Sequence, residues 1–183
     1  MAVSTKFSEK TLYDYQQKDL DAIFDYLDSA PTDTNLLYQL PTGGGKTVVF
    51  SEIAKRYIAT KGKKVVVLTH RIELSTQTSK MLKGFGVHNK IINSDVKSLE
   101  DQEDYSCFVA MVETLNNRLQ EEKVSLDNIG LVIIDEAHYN SFRKLMKFFK
   151  HAVILGVTAT PLSSNIKLPM KDHYKKLIVG ESI

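Results

Sequence analysis

Leu40-Pro41-Thr42-Gly43-Gly44-Gly45-Lys46-Thr47 stands between two stretches of different period. Before it lies the short apolar run Asn35–Leu40, expected to be a strand. After it, Lys46 to about Thr60 carries Val49, Ile53, Ala54 and Tyr57 at helical spacing. A glycine-rich turn from strand to helix is the context in which a backbone can cradle phosphates. Three successive glycines permit positive φ and close approach of a ligand. The N–H groups of Thr42, Gly43, Gly44 and Gly45 would then form a concave anion site, completed by the N-terminus of the helix. Lys46 would reach the β- and γ-phosphates of a nucleotide, and the Thr47 hydroxyl would serve Mg²⁺. The first position holds Leu40 where the usual pattern has Gly or Ala. The alternative is a glycine-rich turn with an incidental lysine.

Outward from this turn, short apolar runs alternate with amphipathic ones. Leu20, Ile23, Phe24 and Leu27 predict a helix over about 14–28. Lys64–Thr69 holds Val65, Val66, Val67 and Leu68, a run suited to a strand covered on both faces. A helix is expected over 71–83, ended by Gly84, then strands at Lys90–Asn93 and Cys107–Val112. Thr114–Glu121 reads as a helix, Leu131–Ile134 as a buried strand, 141–150 as a helix and Ala152–Val157 as a strand. The polar segments 93–106 and 161–171 read as surface loops. Strands alternating with helices predict an α/β domain with a mainly parallel sheet.

The last of the strong strand signals but one ends in Val132-Ile133-Ile134-Asp135-Glu136-Ala137-His138. Open parallel sheets bind ligands at the carboxyl ends of their strands. Asp135 is placed there to hold Mg²⁺, and Glu136 to act as the general base toward water. A plain strand end followed by two acids is the alternative. His138 has no cysteine or clustered histidine beside it, which removes a zinc site; a lone histidine of this kind is more often structural.

Together these segments resemble motifs I (Walker A, the P-loop) and II of superfamily 2 helicases of the D-E-A-H type. Further segments agree in order. Leu12-Tyr13-Asp14-Tyr15-Gln16 resembles the upstream adenine-recognition motif. Val67-Leu68-Thr69-His70-Arg71, with Leu74 and Gln77, resembles motif Ia. Met111-Val112-Glu113-Thr114-Leu115, with Arg118, resembles motif Ib, and Thr158-Ala159-Thr160-Pro161 resembles motif III. The resemblance spans about 12–183 and within the superfamily is nearest to type III restriction-enzyme motor subunits and DNA-repair helicases. It implies a RecA-like P-loop NTPase fold, a three-layer α/β sandwich over 1–183. It also implies ATP with Mg²⁺, adenine read by Gln16, and nucleic-acid phosphates met by Thr69, His70, Arg71 and Thr114. His138, Thr158 and Thr160 would couple the two sites. The family pattern has a second RecA-like domain in the same polypeptide, supplying an arginine across the ATP cleft. No arginine-rich segment of that kind follows Pro161, so the chain is expected to be the first motor domain of a longer protein. DNA is the expected polymer. An RNA helicase, a nucleotide-gated scaffold and an unrelated phosphate-loop kinase or GTPase are the rivals, the last disfavoured by motif III and by the absence of a guanine-reading motif.

Composition sets outer bounds. With 43% hydrophobic and 25% charged residues in 183, the chain can bury a real core, which excludes disorder and collagen. A single cysteine, Cys107, excludes an internal disulfide framework and fits a reducing, cytoplasmic compartment. No apolar run approaches the roughly 18 residues a bilayer span needs, so no membrane partner is expected. Charge is segregated along the chain. Between 61 and 90 there are seven bases against one acid, and between 141 and 176 eight against one, with an acidic block between. Such blocks can form a polyanion-binding face or simply solvated helix surfaces.

Overall fold

Val65, Val66, Val67 and Leu68 are all fully buried, as are Leu131, Ile133 and Ile134, with Val132 nearly so. Strands so covered on both sides must lie inside a sheet that carries helices on each face. The computed structural model has that form. It describes residues 14–29, 35–39, 46–93, 95, 101–120, 126, 128–135, 148–149, 152–158 and 176–179. In chain order the elements are α1 (Asp14–Ser29), β1 (Asn35–Gln39), α2 (Lys46–Lys61), β2 (Lys64–Thr69), α3 (Ile72–Gly84) and β3 (Asn89–Ile92). A 3-10 turn at Gln102–Asp104 leads to β4 (Cys107–Met111), α4 (Val112–Gln120), β5 (Ile129–Asp135), β6 (Val153–Thr158) and β7 (Lys176–Val179).

The seven strands form one sheet in the order β3-β4-β2-β5-β6-β1-β7. Every pairing between them is parallel. Side chains alternate between two cores. Val65, Val67, Cys107, Val109, Leu131, Ile133 and Leu155 pack with α1, α2 and α3 through Leu20, Ile23, Val49, Ile53 and Leu82. Val66, Leu68, Phe108, Ala110, Val132, Ile134 and Ile154 pack on the opposite face with Val112, Leu115 and Leu119 of α4 and with Phe149. The result is the expected three-layer α/β sandwich.

Two local devices explain element ends that the sequence pattern misplaces. The helix α3 runs through Gly84; the left-handed residue is Gly86, at φ 82°. Gly86 N–H donates to Lys83 O at 3.0 Å and Val87 N–H to Leu82 O at 2.9 Å, a Schellman closure that carries Val87 and Leu82 into one core. Asn89 then fastens β3 to α3, accepting from Ser79 Oγ at 2.6 Å and donating to Ser79 O at 3.2 Å. In β5, Lys64 pairs with Ile129 and Val65 with Leu131, so Gly130 is the extra residue of a bulge. The strand therefore begins two residues before the apolar run that announces it.

Within the segment read as a loop over 93–106, the described residues include the 3-10 turn, and Asp101 at its start is tied to β3. Lys90 Nζ donates to both carboxylate oxygens of Asp101, at 3.0 and 2.8 Å. The expected helix at 141–150 lies outside the described residues apart from Phe148 and Phe149, and the expected loop 161–171 lies wholly outside them. β7 is a strand that the sequence reading does not contain. No described helix is long and apolar enough to cross a membrane.

Candidate functional site

Because the strands are all parallel, their carboxyl ends share one edge of the sheet. Gln39 stands opposite Thr158, Val157 opposite Asp135, Ile134 opposite Leu68, and Thr69 opposite Met111. That edge gathers the starts of α2, α3 and α4 and the ends of β1, β5 and β6. β6 separates β5 from β1, so the end of β5 lies two strand spacings, roughly 10 Å, from the end of β1.

The helix α2 begins at Lys46, directly after the glycine segment, as expected. Thr47 follows in its first turn and is half-buried. No acidic side chain sits in that turn, so the positive end of the helix is uncompensated from within. Thr42, Gly43, Gly44, Gly45 and the Lys46 side chain lie outside the described residues. Asp135 is the last residue of β5 and only 4% exposed. Glu136, His138 and Thr160 lie outside the described residues; Thr158 closes β6, with its backbone alone described.

Farther along the same edge, Thr69 ends β2 fully buried. Its hydroxyl lies 2.7 Å from Ser75 Oγ and donates to Arg71 O at 3.2 Å. The hydroxyl is therefore spent on the turn, and what Thr69 leaves toward a ligand is backbone. His70 is half-buried and Arg71 exposed. Arg71 occupies the N-cap position of α3 in an extended conformation, and its side chain makes no capping hydrogen bond. Thr114, expected to start a helix, is the third residue of α4. The helix begins at Val112 because Val112, Leu115 and Leu119 form its buried stripe, so β4 passes into α4 without a loop. Thr114 is half-buried, in the first turn where backbone N–H groups lack helical partners.

Gln16 is the third residue of α1, its backbone described and its side chain not. A pair the sequence reading did not single out lies close by in the chain. The Tyr38 hydroxyl, fully buried near the end of β1, donates to the carboxylate of Asp19, also buried.

The basic block 61–90 does not form one face. Arg71 stands at the carboxyl edge of the sheet, whereas Lys61, Lys63, Lys64 and Lys90 stand at or near the strand starts, at the other edge. Three of these are committed within the fold: Lys61 to Asp28 at 2.5 Å, Lys64 to Gln102 O at 2.5 Å and Lys90 to Asp101. The solvated-surface reading of that block is the one the geometry supports.

A parallel sheet between two helical layers, with a glycine-rich segment between β1 and α2 in the sequence and a carboxylate at the end of β5, is the arrangement of a phosphate-loop NTPase domain, the class that includes the first RecA-like domain of superfamily 2 helicases. Residues 9–163 match the family described as "Type III restriction enzyme, res subunit", and the chain belongs to that family. Over 169 residues it is 33% identical to IRC3 of Saccharomyces cerevisiae, named as an ATP-dependent helicase; the match covers 84% of this chain and 24% of that protein. It is 26% identical over 152 residues to the ATP-dependent RNA helicase DHX58 of Mus musculus, covering 69% of this chain and 22% of the relative. The chain thus spans about a quarter of the length of these relatives. The fold is similar to that of the UvsW helicase from bacteriophage T4, with a TM-score of 0.67 at 16% identity over 91% of this chain and 59% of that one.

Proposed function

We propose that this chain is the ATP-binding motor domain of an ATP-dependent DNA helicase or translocase. The observation that carries the reading is the shared edge, where Thr47 lies in the first turn of α2 and Asp135 closes β5 on either side of β6. A hydroxyl and a carboxylate beside substrate phosphates are oxygen donors that suit Mg²⁺, which keeps several waters of its own. These residues fit that ion, and bound there it would offset charge on the β- and γ-phosphates. The backbone of Thr42, Gly43, Gly44 and Gly45 would hold the phosphate chain, with Lys46 reaching its outer groups. Glu136, one residue beyond Asp135, would take the proton of the attacking water. Gln16 would pair with adenine, since its amide both donates and accepts.

Nucleic acid would lie along the rest of the edge. The start of α3, Arg71 and the first turn of α4 at Thr114 offer N–H groups and charge to phosphates. His138, Thr158 and Thr160 would pass nucleotide state to that surface. A second RecA-like domain of the same polypeptide would close the cleft and supply the opposing arginine. DNA is preferred because the matched family is named for a restriction enzyme, an enzyme class that acts on DNA. The RNA reading rests on the RNA helicase among the relatives. The test is steady-state Mg-ATP hydrolysis by the full-length protein with single-stranded DNA or RNA of matched length. Stronger stimulation by DNA, lost in Lys46→Ala, is expected. Stronger stimulation by RNA would reassign the polymer, and none by either would favour a nucleotide-gated scaffold.

A further inference from the structure

The helix α1 and the strand β1 are joined by a buried hydrogen bond whose position is informative. Tyr38 is fully buried and Asp19 is 5% exposed, so neither has bulk water to fall back on. A buried carboxylate is costly unless it is met by a donor, and the Tyr38 hydroxyl meets it. Around this contact, Leu20, Ile23, Phe24 and Leu27 of α1 share one buried apolar cluster with Leu36 and Tyr38 of β1. Apolar packing tolerates small sliding; a buried hydrogen bond does not, because sliding lengthens and misaligns it.

The direction of α1 gives the contact its meaning. Asp21 lies 3.4 Å from Arg56 and Asp28 2.5 Å from Lys61, so α1 and α2 run the same way. Their first turns are therefore at the same end of the molecule. Tyr38 is the last residue but one of β1, and the glycine segment follows Gln39. Gln16 precedes Asp19 by three residues, roughly one helical turn. This bond thus ties the height of the Gln16 turn to the strand that leads to Thr42–Gly45.

We infer that Asp19 and Tyr38 are positioning residues that set the distance between the base-reading and the phosphate-reading parts of the nucleotide site. This rests on the adenine and phosphate roles proposed for Gln16 and Thr42–Thr47. The pair touches no nucleotide; it fixes whether a ligand anchored by its phosphates brings its base level with Gln16. Loss of the tie weakens base discrimination and spares phosphate binding.

The test is calorimetry on the 183-residue chain with Mg-ATP, Mg-GTP and Mg-tripolyphosphate, with a thermal melt of each variant. In Tyr38→Phe the preference for ATP over GTP should fall about fivefold to tenfold, what one well-made hydrogen bond contributes, while tripolyphosphate binding stays within about twofold. Asp19→Asn, which keeps an oxygen acceptor for the hydroxyl, should retain the preference. If Tyr38→Phe fails to fold, the double variant Asp19→Leu/Tyr38→Phe carries the comparison, since it leaves no buried carboxylate behind. An unchanged ATP preference in a folded double variant overturns the proposal. So does an equal loss for ATP and tripolyphosphate, which marks a general structural role. A wild-type chain with no ATP preference fails at Gln16 instead, and the proposal falls with that reading.

Discussion

At Gly130 an added Cβ would lie 2.8 Å from Lys63 Cδ and 2.9 Å from Lys63 Cβ, and would press on the Tyr57 hydroxyl. Lys63 Cδ belongs to an exposed side chain and can swing away, whereas Lys63 Cβ is fixed by its backbone and the Tyr57 ring is held in the core. Burial also pushes the Tyr57 phenol above its usual pKa, consistent with a closed surround. Gly130→Ala should therefore destabilise the domain by about 1–3 kcal/mol, the usual range for an overpacked site. A melt unchanged from wild type would show that Tyr57 yields. The Lys90–Asp101 pair makes a pH-dependent prediction at the same scale. The Lys90 ammonium, by hydrogen bonding, holds the Asp101 carboxyl below its ordinary value. A lowered folded pKa gives stability that is present above the unfolded value of about 3.9 and is lost as pH falls through the folded one. Wild type should thus melt slightly above Asp101→Asn at pH 7, with the gap closing as pH falls below about 4. The pair is partly exposed, so the gap should also shrink in high salt. A gap that persists at pH 2 would assign the effect to packing.

Among the elements, β4 carries the chain's single cysteine and reports on the sheet's short edge. Cys107 is fully buried, and desolvation pushes its thiol far above the usual range. The thiolate is the reactive form, so native protein at pH 8 should resist iodoacetamide while unfolded protein reacts at once. Its neighbour β3 is a four-residue edge strand, so slow native labelling would follow local opening there. Labelling of folded protein at the rate of a free thiol would contradict the placement of β4. The β-branched runs of β2 and β5 were legible in the sequence because burial on both faces leaves an unbroken apolar string. β7 was not: Leu177, Ile178 and Val179 form only a short apolar run after two lysines, and pairing with β1 is what makes the segment a strand. The start of α4 was missed because Val112 suits a strand as well as it suits the stripe with Leu115 and Leu119. The bond between Asp19 and Tyr38 was hidden among the five aspartates of α1, since its partner lies 19 residues away.

For the whole molecule, the sheet order does what no local pattern can. It inserts β6 between β1 and β5 and brings the ends of β1, β2, β4, β5 and β6 to one edge. Asp135 at a strand end and Lys46 at a helix start were readable from period and composition; their arrangement around β6 depends on long-range pairing. For the same reason the sequence left two readings of the basic block 61–90 open, and the sheet decides between them. Residues adjacent in sequence, such as Arg71 and Lys64, stand at opposite ends of the six-residue strand β2 or just beyond it. The proposed function requires this edge to hydrolyse ATP, with Glu136 as the base. The most direct measurement is steady-state Mg-ATP turnover by full-length Glu136→Gln beside wild type, with ATP binding titrated on both. Binding should be unchanged and turnover should fall about 10²–10⁴-fold, the usual contribution of general-base catalysis. Turnover within about tenfold of wild type, well short of that contribution, would contradict the role proposed for Glu136.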